Sequence, residues 1–520
     1  MMTRPDSLND TPPAGAPPEL GTPETDDLIT QTLAEEGWEA AAIVIESNWD
    51  RLVTTAPHRL LAAIRALPGE AFVDRPTFLV AANYLQHVVS GTDAGSYNHD
   101  GWLDADMSGR EIGLISALGV LTSRSAGART SGDLADARRA AEQGRAALAQ
   151  ASEQERAAIR SSLPHFLLQW GRSRELADAP GADFEYEQAY ELAILTDQAL
   201  IARRAAAQHA WLSAERGHIR TAELWLARAR GGPAPNGRYD AVIYLTDALI
   251  RLDRGDRVGA ERELARAAGL GSGEYWAAML WVQSMYARDA AEAAVIDARL
   301  AQYLAQQPTS LAASAANGRY TRAARARLAV LRRQSATAPT MRPGLSATDR
   351  VISAALAHVA RKHQYALDLA GEAAAPEEPP RTQTAALLVT AAAALALGQR
   401  ETAALAFVQA HAIIEHERLY SAYDCVPSGD LDALAELTSL RLPELLSAFH
   451  QPRTDHAVQL TKREHEVLAL LAQGRSMSEL AEALFISPNT LKSTVRRLYR
   501  RLGVNSRASA IDTARRVGLI

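Results

Sequence analysis

The 520-residue sequence predicts an all-α protein: an irregular superhelix of helical repeats followed by a separate four-helix unit at the C-terminus. Three observations carry this. From Asp27 to His450, Ala, Leu, Arg and Glu recur at helical spacing, with few β-branched runs and no strand-turn-strand pattern. Within that region a short pattern repeats. Beyond it, helix-start signals and turn glycines follow one another at intervals too short for anything but a bundle of brief helices.

Taking the elements in order, residues 1–27 (MMTRPDSLNDTPPAGAPPELGTPETDD) carry proline, threonine and acids where a signal peptide needs a basic start and an apolar centre, so they are expected to be a disordered tail. Residues 28–450 form the helical region. Its repeat shows when RGHIRTAELWLARA (Arg216 to Ala229) is laid on RGDRVGAERELARA (Arg254 to Ala267), 38 residues further on. Ala222/Ala260, Leu226/Leu264 and Ala229/Ala267 coincide, and LGQRETAALAFVQA (Leu397 to Ala410) repeats the intervals with Ala403, Phe407 and Ala410. A glycine five residues before the first small residue is expected to end one helix and begin the next, and small residues in register let paired helices approach closely. Chance likeness among Ala-rich amphipathic helices is the competing explanation, and it leaves the region helical all the same. The repeat length suits an irregular superhelix of tetratricopeptide type. HRLLAAIRALPGEAFVDRPTFLVAANYL (His58 to Leu85), with its ALP and RPTFL, resembles the entry to the helical region of the large ATP-dependent regulators related to MalT. Those regulators carry a nucleotide-binding domain, whereas no G-x-x-x-x-G-K-[ST] occurs in this sequence, so ATP dependence is not carried over.

Other constellations point to no chemistry. Ser96, Asn98, Asp100 and Gly101 have calcium-loop spacing, but Met107 stands where a bidentate Glu is needed, which leaves a polar surface loop. His411 and His416 are five apart, not the four that share a helical face, and read as core or solvent-facing histidines. GLGSGE ends in Glu274 where a dinucleotide fingerprint needs its third glycine, and G-x-S-x-G is absent. No catalytic set emerges, so the protein is expected not to be an enzyme and to need no cofactor or metal. A single cysteine, Cys425, suits a reducing compartment, and the most apolar segment, Thr384 to Gly398, falls short of the roughly 20 residues that span a bilayer. A cytoplasmic protein without membrane contact is expected. Ser335 to Asp349, rich in Pro, Thr and Ser, reads as a loop or hinge.

Charge then divides the chain. Residues 451–520 hold 12 Lys and Arg against 6 Asp and Glu, whereas the first 450 hold 43 against 55. Such asymmetry points the basic part toward an anionic partner. After a linker at 451–457, residues 458–520 parse into four helices. Thr461 with Glu464 and Ser476 with Glu479 are capping boxes opening the first two, which run to about Gln473, before Gly474, and to about Phe485. Ser487 caps the third, Pro488 takes its first position, Gly503 ends it, and Ser506 opens the fourth. On the third helix Leu491, Val495, Leu498 and Leu502 make a buried stripe with Tyr499 beside it. Asn489, Lys492, Ser493, Arg496 and Arg500 form the opposite face, flanked by Thr490, Thr494, Arg497 and Arg501. A short helix, a tight turn and a second helix with such a face make the unit that enters a DNA major groove.

LTKREHEVL, LAQGRSMSELAEALFIS, TLKS and LYRRLGVNSR closely resemble the LuxR-type helix-turn-helix domain. The resemblance covers about 60 residues. It implies that Lys492 and Arg496 sit over bases with Ser493 between them, and that Thr490, Arg497, Arg501 and Arg507 lie near phosphates; Ser487, Asn489, Thr494 and Arg500 complete the expected surface. Two departures, Thr494 where many members have histidine and Leu491 in place of valine, bear on base preference. The family also implies a dimer on double-stranded DNA, which a small-residue edge around Ala508 and Asp512 permits, while Ala510, Ile511, Ala514 and Val517 serve the domain's own core. A solvated basic face or a membrane-surface helix would not need two capped helices before it and one after. The whole reads as a bacterial transcription regulator whose helical region receives a protein or small-molecule effector, with RNA polymerase a further partner. The alternative is an interaction scaffold whose C-terminal domain is vestigial or docks a protein.

Overall fold

The computed structural model describes residues 24–48, 56–75, 113–232, 240–271, 273–287, 290–306, 315–331, 346–443, 462–472, 475–484, 486–502 and 506–516, with Leu52, Phe78, Ala81, Ala82 and Leu85 besides. Among them no strand occurs, and no helix is long and apolar enough to cross a membrane. The calcium-spaced loop and the linker at 451–457 lie outside the described residues. The first helix, Glu24–Glu35, begins inside the segment expected to be tail. Ser346 likewise shortens the expected hinge, because its hydroxyl accepts from the Asp349 N–H and opens the helix Ala347–Val359.

The chain divides into two compact units that part within the helix Leu114–Ser131. The first has its own core, in which Ile29, Ala41 and Ile45 meet Leu60, Ile64, Phe78 and Leu85. Those last four lie in the His58 to Leu85 segment, and Leu60 and Ile64 are one turn apart on the helix Pro57–Arg65.

The second unit contains a superhelix-like array of antiparallel helix pairs. Gly217, Gly255 and Gly398 all adopt positive φ (91°, 82° and 77°), each ending one helix and opening the next at Ile219, Arg257 and Arg400. A left-handed residue just past a helix end frees the chain to reverse, and glycine does so without a Cβ clash. The residues set five, nine and twelve places on from each glycine are all buried, alanine at the first and last places and Leu226, Leu264 or Phe407 between them. Two further turns of the same kind escaped the sequence pattern. Arg361 takes the left-handed conformation (φ 61°) without being glycine, and Ala366, Ala370 and Ala373 follow at the same intervals, all 0% exposed. Gly132 (φ 91°) is followed by Ala137, Ala141 and Gly144.

Gly144 shows why the small positions must be small. A Cβ built there would lie 2.5 Å from Cζ2 of Trp170, a fully buried ring from the helix Leu163–Leu176. Gly144→Ala should therefore lower stability by about 1–3 kcal/mol through overpacking, although alanine alone favours a helix by up to ~1 kcal/mol. Equilibrium urea unfolding checks this: a midpoint equal to or above that of the parent protein would contradict the packing account.

Long-range ion pairs tie the array together. Arg319 reaches Glu215 at 3.1 Å and Asp178 at 3.4 Å, and Arg203 reaches Asp240 at 3.0 Å. Arg381 meets Asp253 at 2.6 Å. The most apolar segment lies in the helix Pro380–Ala396, where Ala386 to Val389 and Ala391 to Ala394 are buried. Cys425 packs at the edge of this core, and burial pushes its thiol up to about 11.

Candidate nucleic-acid interface

The C-terminal residues form four short helices, here α1 (Lys462–Ala472), α2 (Met477–Ala483), α3 (Pro488–Leu502) and α4 (Arg507–Arg516). Ser476 and Glu479 make the reciprocal capping box at the start of α2, with the Ser476 N–H donating to Oε2 of Glu479 at 2.7 Å. Those contacts hold the Glu479 carboxyl below its usual range. Ser487 Oγ accepts from the Thr490 N–H at 3.2 Å, so Ser487 caps α3 and Pro488 stands first in it. Ser506 caps α4 in the same way through the Ser509 N–H at 3.1 Å. Thr461, Gly474, Phe485 and Gly503 lie outside the described residues.

One small core joins the four helices. Val467, Leu468 and Leu471 of α1, Leu480 and Ala481 of α2, Leu491, Val495 and Leu498 of α3, and Ala510 and Ala514 of α4 are all buried, with Tyr499 packed beside them. Ile511, expected in that core, is half-buried. Val517 and the proposed dimer edge at Ala508 and Asp512 lie outside the residues whose side chains are described.

With its apolar stripe committed to this core, α3 turns Asn489, Thr490, Lys492, Ser493, Arg496 and Arg497 to solvent, and Ser487 is exposed at its start. Lys492 and Arg496 are one turn apart on that face. The side chains of Arg500 and Arg501 lie outside the described residues. Ser493 donates its hydroxyl to the Thr490 carbonyl at 2.8 Å, which keeps its oxygen available as an acceptor.

Three expected contact residues are placed differently. Thr494, expected on the flank of the outer face, is 4% exposed and donates its hydroxyl to the Thr490 carbonyl at 2.9 Å. It stands three residues after Leu491 and four before Leu498, which sets it at the edge of the apolar stripe, and the bond to the preceding turn satisfies the hydroxyl there. Arg497, expected near a phosphate, is half exposed but directs Nε to the Glu464 carboxylate of α1 at 3.1 Å, and Glu464 is 1% exposed. Arg507 is partly buried and donates Nη2 to the Leu471 carbonyl at 2.7 Å, stapling α4 to the end of α1. Arg463, not singled out from the sequence, donates to the Leu484 carbonyl and so joins α1 to the end of α2. These arginines tie the helices together; among the described side chains, those from Ser487 to Arg496 on the outer face are exposed without such ties between helices.

The histidines singled out in the sequence do not form a reactive set. His411 shares a hydrogen bond with the Tyr423 hydroxyl at 2.5 Å, and His416 is exposed. Among the described residues no group of three or more His, Cys, Asp or Glu is placed to hold a metal ion.

Residues 458–514 match the family of bacterial regulatory proteins of the luxR type. Over 61 residues the chain is 44% identical to the "Probable transcriptional regulatory protein NarL" of Mycobacterium tuberculosis, a stretch that is 12% of this chain and 28% of that protein. It is 38% identical over 80 residues to the HTH-type transcriptional activator RamA of Corynebacterium glutamicum, covering 15% and 28% of the two chains. To the HTH-type transcriptional regulator MalT of Yersinia pestis it is 32% identical over 83 residues, 16% of this chain and 9% of that one. The chain thus spans under a third of the length of these relatives. No solved structure matches it. The C-terminal domain is a LuxR-family helix-turn-helix domain, and an all-helical region before such a domain fits a MalT-like architecture.

Proposed function

We propose that this chain is a sequence-specific, DNA-binding transcription regulator that reads the major groove with α3 and is controlled through its helical array. The observation that carries the reading is the division of α3 into a stripe fixed in a four-helix core and an exposed polar face bearing Asn489, Lys492, Ser493 and Arg496. Lys and Arg bind guanine O6 and N7, Asn suits adenine, and Ser and Thr serve either base edges or phosphates. The relatives named as transcriptional regulators over this same domain support it. We also assign phosphate contacts to Arg500 and Arg501, by their place in the helix sequence and their charge. We read the regulator as a dimer on two half-sites, because a single short helix reaches few base pairs.

The helical array is the part that receives an effector, and its helix pairs are suited to that role because small rotations between neighbouring repeats add up along the stack. Selection of bound sequences from a random double-stranded DNA pool by the full chain tests the reading. One recurring motif, arranged as two half-sites and protected in footprints, is the expected result. A pool that stays random after repeated rounds would defeat the proposal and favour an interaction scaffold.

A further inference from the structure

The helical array holds a second constellation built for anions. Arg129 and Arg172 have side chains 6% and 4% exposed, and both aim their guanidiniums at one carboxylate, Glu274. Arg129 Nε and Nη2 donate to Oε1 at 3.3 and 3.2 Å, and Arg172 Nε donates to Oε2 at 3.0 Å. Both cations also have partners besides that carboxylate, and Arg172 Nη2 donates to the Glu274 main-chain carbonyl at 3.1 Å. Arg129 donates Nη1 to the Gln169 carbonyl at 3.2 Å and to Ser173 Oγ at 3.1 Å, and Nη2 to Gln169 Oε1 at 2.9 Å. Arg172 donates Nη1 to Glu175 at 2.5 Å, Glu175 also accepts from the Tyr186 hydroxyl, and the guanidinium lies 3.9 Å from the centre of the Tyr275 ring.

The acid comes from a more exposed element. Glu274 is the most exposed member, at 24%, and it arrives on a one-turn 3-10 segment, Gly273–Tyr275, from a different part of the array, 102 and 145 residues along the chain from the arginines. Gly271 and Gly273 flank its approach with positive φ of 88° and 48°, and a Cβ on either would meet nothing within 4 Å. Packing does not demand those glycines; the backbone conformation does. Burial raises the Glu274 carboxyl, but the two guanidiniums outweigh it and hold the group at about 2, so the carboxylate is charged throughout the neutral range. The Tyr275 hydroxyl is buried and has no hydrogen-bond partner among the described residues.

We propose that Arg129 and Arg172 form a binding site for a small oxyanion, a carboxylate or a phosphate, and that Glu274 occupies it as a tethered stand-in for that ligand. Two planar guanidiniums in fixed orientation suit either group through paired N–H donors, and without an anion two buried cations would face only Glu175. Release of the carboxylate would loosen the tie of the 3-10 segment to the helix Leu114–Ser131, while the Glu274 carbonyl keeps its bond from Arg172 Nη2, 3.1 Å long, on the helix Leu163–Leu176; that is a local change in the array. The site gives a chemical class to the effector of the proposed regulator and rests on that reading only for its consequence, not for its binding.

The test separates the two. The full chain, its Glu274→Gln variant and an Arg172→Met/Glu274→Gln variant are titrated calorimetrically with succinate and with inorganic phosphate, without DNA, against sodium chloride of matched ionic strength. A tethered competitor lowers apparent affinity by its local concentration, so the Glu274→Gln chain should bind one of the two anions at least tenfold more tightly than the parent, and the double variant should not bind it. Whichever anion binds identifies the class. No saturable binding to the Glu274→Gln chain, binding undiminished in the double variant, or an equal response to chloride would each overturn the site. Should Glu274→Gln fail to fold by circular dichroism, Glu274→Asp retains the charge but shortens its reach by one methylene, and it must bind the anion more tightly than the parent or the proposal is lost. Anion binding that leaves DNA affinity unchanged would sustain the site while removing it from regulation.

Discussion

Replacing Arg381 by alanine is expected to cost the helical array about 3–5 kcal/mol, the range found when one partner of a buried ion pair is removed and the other is left behind. The stranded partner is Asp253, at 0% exposure, which otherwise accepts from Arg381 at 3.0 and 2.6 Å and from the Ser421 hydroxyl. Arg381 has a second duty. Its Nε and Nη2 donate at 3.0 and 2.8 Å to the carbonyls of Glu215 and Ala214, which close the last turn of the helix Ala199–Arg216. A cation at a helix C-terminus also complements the dipole of the helix. The two helices meet so closely there that a Cβ on Gly217 would lie 2.6 Å from the Arg381 backbone nitrogen, and Gly217 already needs φ 91°. Urea unfolding followed by far-ultraviolet circular dichroism measures the loss. Replacing both partners, as Arg381→Met with Asp253→Leu, should recover much of it, because the single variant suffers chiefly from the unpaired charge. A single variant within about 0.5 kcal/mol of the parent would mean that Asp253 finds water or another cation.

How much of this was visible in the sequence differs between layers of the structure. Gly217, Gly255 and Gly398 announced their turns because glycine is the residue that takes positive φ without cost, and the small residues behind them announced the close helix contacts. Arg361 makes the same turn with an ordinary side chain, so nothing in its identity marks it. The ion pairs were invisible for another reason. Arg172, Arg319 and Arg381 sit at helical spacings that look like solvated faces, and their partners Glu274, Asp178 and Asp253 come from elements about 100 or more residues away. Periodicity reports which face a helix buries, not what a buried polar group on it will meet.

The LuxR-type domain was more legible because its signals are local. Caps depend on residues three apart, and Ser476, Ser487 and Ser506 all serve as read. The differences in side-chain placement also have a local cause. A wheel divided into polar and apolar halves puts Thr494 outside, yet its hydroxyl can bond within its own helix and lets it sink with Leu491 and Leu498. The division likewise turns every arginine outward, whereas in the chain without DNA Arg497 and Arg507 contact Glu464 and the Leu471 carbonyl.

Those claims lead to a separation of roles along α3. Lys492→Ala or Arg496→Ala should each cost about 1–3 kcal/mol on the selected DNA site and blur preference at particular base pairs, because both side chains are exposed near the N-terminal half of the helix, where base edges lie deepest. Arg497→Ala should act through the fold instead. It leaves the Glu464 carboxylate, 1% exposed, short of a donor between α1 and α3, so the domain should melt at a lower temperature before any DNA is added. Its affinity for cognate and random DNA should fall together, with the slope of log affinity against log salt close to that of the parent. Loss of a true phosphate contact would instead reduce that slope by about 0.9. Thermal melts and binding titrations of the three variants on both DNAs, at several salt concentrations, distinguish these outcomes. An Arg497→Ala protein with unchanged melting temperature and a shallower salt slope would show that Arg497 leaves Glu464 for the DNA backbone on binding, and that the contact seen in the free domain is exchanged rather than kept.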